Sequence, residues 1–181
     1  FFHMPDVALF KHQGKLAITV SVGSGYRAHP NNTDIQDRFY VLYDENVMNL
    51  PTTPPQAVRE DQLTTPSELA GKDFLPNNKG WYKNLINSNG EKVLSTPLTF
   101  MNKIMFTTFG LTAANNNAVD PCRQSVNNMS RAYVLDLMSG AAVEDLDGNG
   151  VITKEDESTI VGSGEIPGTP QLVFNEPSNC T

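Results

Sequence analysis

Short runs of β-branched and aromatic residues recur along this chain, each bounded by Gly, Asn or Pro, and a helical apolar period is scarce. Val7 to Phe10, Lys15 to Val22, Arg38 to Asp44, Val93 to Phe100, Lys103 to Phe109, Arg131 to Leu137 and Pro170 to Phe174 all have strand composition. Gln13-Gly14, Asn89-Gly90 and Met101-Asn102 fall between or beside them and read as hairpin turns. Strands of this length cannot bury their apolar face alone, so the chain is expected to be all-β and built from packed sheets.

The runs also repeat. Pro5 to Phe10 leads through a turn to Lys15–Val20, and Pro97 to Phe100 leads through Met101-Asn102 to Lys103–Thr108. Each copy then closes on a related strand, Arg38-Phe39-Tyr40-Val41-Leu42-Tyr43-Asp44 in the first and Arg131-Ala132-Tyr133-Val134-Leu135-Asp136 in the second. Gly168 to Phe174 begins a third. Repeated four-stranded units that pack radially make a β-propeller, so the sequence predicts a partial propeller of about two and a half blades. Too few blades are present to close a ring, and residues 1–181 therefore read as part of a larger propeller domain. The repeats are longer than the roughly forty to fifty residues of a common blade. The excess falls in polar insertions, chiefly 45–91 and 110–130. Within the first, Arg59 to Leu69 is a candidate short helix and Trp81 a candidate anchor for the loop's end. A sandwich of about eight strands is the competing architecture.

One segment carries specific chemistry. Residues 145–156 read Asp-Leu-Asp-Gly-Asn-Gly-Val-Ile-Thr-Lys-Glu-Asp, which follows the calcium-loop pattern D-x-[DN]-x-[DN]-G through six positions. Calcium takes about six to eight hard oxygen ligands. Alternate side chains at Asp145, Asp147 and Asn149 converge on one centre only if the chain curls, and Gly150 permits the curl by accepting positive φ. Val151 offers its carbonyl, Thr153 stands at position nine and Asp156 at position twelve, and Ile152 is expected to point into the protein. Asp is shorter than the usual closing Glu, so Glu157 is an alternative final ligand. A strand precedes the loop where an EF-hand would have a helix.

Composition and motifs exclude other chemistry. Thirteen Lys and Arg against twenty Asp and Glu give a net charge of −7, without the basic footprint of a nucleic-acid binder. Glu144, Asp145, Asp147, Glu155, Asp156 and Glu157 crowd into one stretch, so the acidity is local. No apolar run approaches the roughly twenty residues of a membrane-spanning helix. Gly23-Ser24-Gly25-Tyr26-Arg27-Ala28 fits a dinucleotide fingerprint in letters, but His29-Pro30 follows where a helix is required. His3, His12 and His29 lack zinc-ligand spacing, and no nucleophile elbow or phosphate loop occurs. No catalytic constellation is present, and no enzyme activity is expected. Cys122 and Cys180 are candidates for one disulfide if the compartment is oxidising.

Val22-Gly23-Ser24-Gly25-Tyr26-Arg27-Ala28-His29-Pro30, followed by Gln36 to Leu42, resembles the signature of the PilY family of type IV pilus biogenesis and tip-associated adhesins. Lys79 to Tyr82, Gly90 to Leu98, Phe106 to Phe109, Asp120-Pro121-Cys122 and Tyr133 to Asp136 are similar to later family stretches in the same order. The resemblance implies a C-terminal β-propeller of modified geometry within a larger exported protein, displayed from periplasm to cell surface and pilus tip. It implies a non-enzymatic role in pilus assembly against retraction, twitching motility and adhesion. The expected partners are pilin and minor pilins, and host or abiotic surfaces. The family's calcium loop maps onto Asp145, Asp147, Asn149 and Val151; the family commonly has Asp where this chain has Thr153. Two alternatives stay open: a calcium that only stabilises the propeller, and a fragment of a quinone-dependent dehydrogenase propeller.

Overall fold

The computed structural model describes residues 1–12, 14–46, 52–54, 56–66, 79–112 and 128–174. Two antiparallel sheets carry the regular structure. The first is a meander of β1 (Asp6–His12), β2 (Lys15–Gly23), β3 (Arg38–Asp44) and β4 (Gly80–Asn84), in that order. The second runs β5 (Asn89–Val93), β7 (Lys103–Leu111), β8 (Asn128–Asp136) and β9 (Ser158–Ser163), with β6 (Leu98–Phe100) also paired to β7. Short 3-10 turns occupy Glu60–Gln62 and Lys154–Glu157.

Each of the two complete sequence repeats contributes its strands to one sheet. The β6–β7 turn is the expected two-residue hairpin, with Met101 and Asn102 at φ 49° and 60° and Phe100 paired to Lys103. Positive φ at both positions matches the right-handed twist of the flanking strands. The β1–β2 pair extends to His12 and Lys15, and Gly14 takes φ 83°.

Several expectations need correction. The 45–91 stretch is not all insertion: its end supplies β4 and most of β5. Asn89 and Gly90 open β5 rather than forming a turn. The run from Val93 to Phe100 is broken into two short strands along the same edge of β7. Val93 pairs with Thr108 and Leu98 with Met105, so the register shifts between them, and in the gap the Ser95 hydroxyl accepts the Thr107 N–H in place of a backbone partner. Pro170 to Phe174 is not a strand. The 165–174 segment instead crosses the outer face of the second sheet. There Ser130 Oγ donates to Glu165 O at 2.6 Å, Thr107 Oγ1 to Gly168 O at 3.0 Å, and Phe174 meets Phe100 edge-on. Of the candidate helix, Glu60–Gln62 forms a 3-10 turn and Thr64 bridges to Trp81, while 67–69 lies outside the described residues, as do Cys122 and Cys180.

The core lies between the sheets. Phe39, Val41, Tyr43 and Trp81 of the first sheet pack on Val93, Ile104, Phe106, Tyr133 and Leu135 of the second. Three rings form a stack across the interface: Phe39 on Phe106 at 3.8 Å, and Phe106 on Tyr133 at 4.6 Å, both near-parallel. Trp81 is fully buried and donates its indole N–H to Leu137 O at 3.0 Å, so it anchors the core and has no face open to a ligand. A buried carboxylate, Glu91, is satisfied by Thr108 Oγ1, Tyr133 OH and the Asn87 N–H at 2.6–2.8 Å. Burial pushes the Tyr133 hydroxyl well above the usual phenol range.

The two sheets present opposite faces to each other. The repeat aligns Tyr40-Val41-Leu42 with Tyr133-Val134-Leu135. In β3 the buried positions are Phe39, Val41 and Tyr43, whereas in β8 Tyr133 and Leu135 are buried and Val134 is not. A strand's side chains alternate in direction, so the back of the first sheet receives the front of the second. The front of the first sheet carries Val7, Leu9 and Leu16, all exposed, beside the half-buried Ile18, Val20, Tyr40 and Leu42.

Candidate metal centre

The acidic loop joins β8 to β9 of the second sheet and is held at both ends. β8 ends in a turn where Asp136 Oδ1 accepts the N–H groups of Met138 and Ser139, at 3.0 and 2.7 Å. Gly140, at φ 69°, then reverses the chain against Trp81. Lys103 of β7 pairs with Glu144 at the loop's entrance.

From there the loop folds around its own carboxylates. Asp145 accepts the N–H groups of Gly148, Asn149 and Gly150 at 2.7–3.1 Å, and Gly148 and Gly150 supply the positive φ, 76° and 87°, that turns them inward. Asp147 Oδ1 accepts Asn149 N–H at 2.9 Å, and Asn149 Oδ1 accepts Val151 N–H at 2.8 Å. Asp156 closes the ring: its Oδ1 accepts Leu146 and Asp147 N–H, and its Oδ2 accepts Thr153 N–H and hydroxyl.

One carboxylate oxygen each from Asp145, Asp147 and Asp156 lies within 4.8 Å of the others. Three negative charges at that spacing, contacted by neutral N–H and hydroxyl donors, suit a metal ion. Hard carboxylate oxygens favour a cation such as calcium or magnesium over the softer transition metals. Asp156 is buried, Asp145 half-buried and Asp147 exposed, which leaves the centre open on one side.

Of the six sequence candidates, the structure brings the carboxylates of Asp145, Asp147 and Asp156 together. Asn149 and Thr153 sit in the same loop with their side chains hydrogen-bonded to Val151 and Asp156. Glu157, the alternative final ligand, is turned away to Lys83. Ile152 does not point into the protein as expected: it is 53% exposed, on the wall of a cleft of about 450 Å³ shared with Tyr82, Ile86 and Pro66. The 3-10 turn at Lys154–Glu157 follows at once and spends its burial on Asp156 and Glu157 instead.

The backbone donors also fix the charge state. The Gly150 N–H, with those of Gly148 and Asn149, holds the Asp145 carboxyl below the usual carboxylate range, and the Thr153 N–H does the same for Asp156. A depressed native value stabilises the fold above the ordinary aspartate value and loses that contribution as the pH falls through the native one. Without metal, stability measured by urea unfolding should therefore stay level from neutrality to about pH 5 and decline below about pH 4. Asp156→Asn should flatten part of that decline.

The fold has a known counterpart. It is similar to the crystal structure of the Pseudomonas aeruginosa PilY1 C-terminal domain. The TM-score is 0.54 at 15% sequence identity, over 89% of this chain and 38% of that one. The chain thus spans well under half the length of the structure it matches. No protein-family model and no curated protein sequence matches it. At this identity the likeness shows the fold: an all-β, PilY1-like domain carrying a candidate acidic metal site. Among the described residues, no helix is long and apolar enough to cross a membrane.

Proposed function

We propose that this chain is part of a C-terminal β-propeller of a PilY-type protein: a calcium-binding, non-enzymatic factor that supports type IV pilus assembly, counteracts retraction and contributes to surface adhesion. The observation that carries this reading is the presence, in one chain, of a PilY1-like fold and an acidic loop of calcium-binding pattern between two of its strands. The propeller is supported by the front-to-back packing of equivalent sheets, an arrangement that does not close on itself in two copies and leaves an apolar front face for a further blade.

Calcium is the ion proposed, with Asp145, Asp147 and Asp156 as carboxylate ligands and Asn149, the Val151 carbonyl and Thr153 completing the set. Calcium accepts this many oxygen donors, whereas magnesium keeps its waters. Bound calcium neutralises the cluster and fixes the β8–β9 connection, which sets the neighbouring surface toward pilin or minor pilins at the pilus tip. For this to be a switch, partner-competent and loosened states must bind calcium unequally. The protein acts outside the cytoplasm, where millimolar calcium fills even a weak loop.

Surface-immobilised protein, exposed to purified pilin and minor pilin subunits with calcium and then with chelator, tests the role. Calcium-dependent capture is the expected result. Equal capture in both conditions would reduce the ion to a stabiliser, and no capture in either would remove the proposed partners.

A further inference from the structure

The two ends of the metal loop are anchored differently. At the entrance, the Lys103–Glu144 pair ties the loop to β7 of its own sheet and is well exposed, with side chains 37% and 46% accessible. Exposed pairs of this kind contribute little. At the exit, Lys83 Nζ meets Glu157 Oε2 at 2.5 Å, and both side chains are only 12% accessible. Lys83 belongs to β4, opposite Phe39, so this pair crosses from the second sheet to the first. Removing one partner of a buried pair leaves an uncompensated charge and forces local rearrangement.

Glu157 directly follows Asp156, and both sit in the single 3-10 turn that ends the loop. The next residue, Ser158, is held by Asn87 Nδ2 at 3.3 Å, from the segment that follows β4. With no slack between residues 156 and 158, the turn that carries Asp156 is tied to the β4 region as well as to Tyr133 of β8, while the Asp156 carboxylate itself is held within the loop by Leu146, Asp147 and Thr153.

We infer that Lys83, through Glu157, is a positioning residue for the metal centre, so that ion affinity depends on how the two sheets are docked. The inference rests on the calcium reading above. Coupling of this kind is reciprocal: whatever the docked arrangement adds to ion affinity, the ion returns to the docked arrangement. A metal loop of one blade thereby strengthens the seam with the blade before it.

Electrostatics alone makes the opposite prediction, which gives the test its sign. Taking a positive charge from beside a cation site should tighten binding, whereas losing the positioning pair should weaken it. Calorimetric titration with calcium would be run on the parent, Lys83→Gln, Lys83→Arg and the neutral double variant Lys83→Gln/Glu157→Gln, with Trp81 fluorescence reporting the fold. Outer-shell partners of metal ligands typically contribute about tenfold or more in affinity. Lys83→Gln and the double variant should each bind about tenfold more weakly than the parent, and Lys83→Arg should recover most of the loss. Unchanged or tighter binding by Lys83→Gln, with the parent binding normally, would overturn the positioning role. A parent that does not bind would instead overturn the calcium reading and the inference with it.

Discussion

Phe106→Ala should cost about 3–5 kcal/mol of unfolding free energy, the usual range for emptying a buried aromatic site. Phe106 is fully buried and sits between Phe39 of the first sheet and Tyr133 of its own, near-parallel to both. Truncation removes both stacking contacts and opens a void where the sheets meet, and the rings on either side belong to different sheets, so they cannot both collapse into it. A loss this large is a substantial share of the roughly 5–15 kcal/mol that holds a typical domain. Denaturant unfolding followed by Trp81 fluorescence measures it directly, since the indole packs against the neighbouring Phe39. A cost under about 1 kcal/mol, the size of a surface substitution, would mean that the stack does not hold the sheets together.

Calcium should have the second large effect. An ion that binds only the native state adds about 2.7 kcal/mol when its free concentration is a hundred times the Kd. For a chain of this size, that corresponds to a rise of roughly 5–10 °C in Tm. Chelator should reverse it, and magnesium at equal concentration should give much less because the centre offers more protein oxygens than magnesium uses. Asp145→Ala should abolish the calcium-dependent increment, because Asp145 both supplies a ligand oxygen and gathers three backbone N–H groups into the loop's curl. An equal Tm with calcium and with chelator would contradict the stabilising role.

The fold was legible where local chemistry determines structure and illegible where long-range packing does. β2, β3, β7 and β8 carry enough Val, Ile, Phe and Tyr to declare themselves, and Met101-Asn102 fixes its hairpin by backbone geometry alone. β4 escaped notice because Gly80-Trp81-Tyr82-Lys83-Asn84 closes a long polar stretch, and its strand state depends on pairing with β3. β5 was hidden by Asn89-Gly90, a turn signal that here opens a strand, with Gly90 at φ 60° close to Asn32 and Thr33. The third repeat misled in the other direction: Gln171 to Phe174 has strand composition, but the segment is spent on covering the second sheet.

At the metal centre, the positions of Asp145 and Asp147 follow from the loop pattern, because ligand spacing is a property of contiguous sequence. The placement of Asp156 could be expected only in part, since its burial depends on a turn shaped by neighbours. Lys83 could not be found from sequence at all. It lies 74 residues from Glu157, and only the docking of β4 beside the loop brings them together.

The most direct test of the central claim is a calorimetric calcium titration of the parent and of Asp147→Ala. Asp147 is exposed and accepts only from Asn149 within the loop, so its loss should leave the fold intact. Saturable binding by the parent, lost in the variant while Trp81 fluorescence is unchanged, is the predicted result. Absence of binding in the parent, or equal binding in both, would show that the acidic loop is not the metal centre proposed.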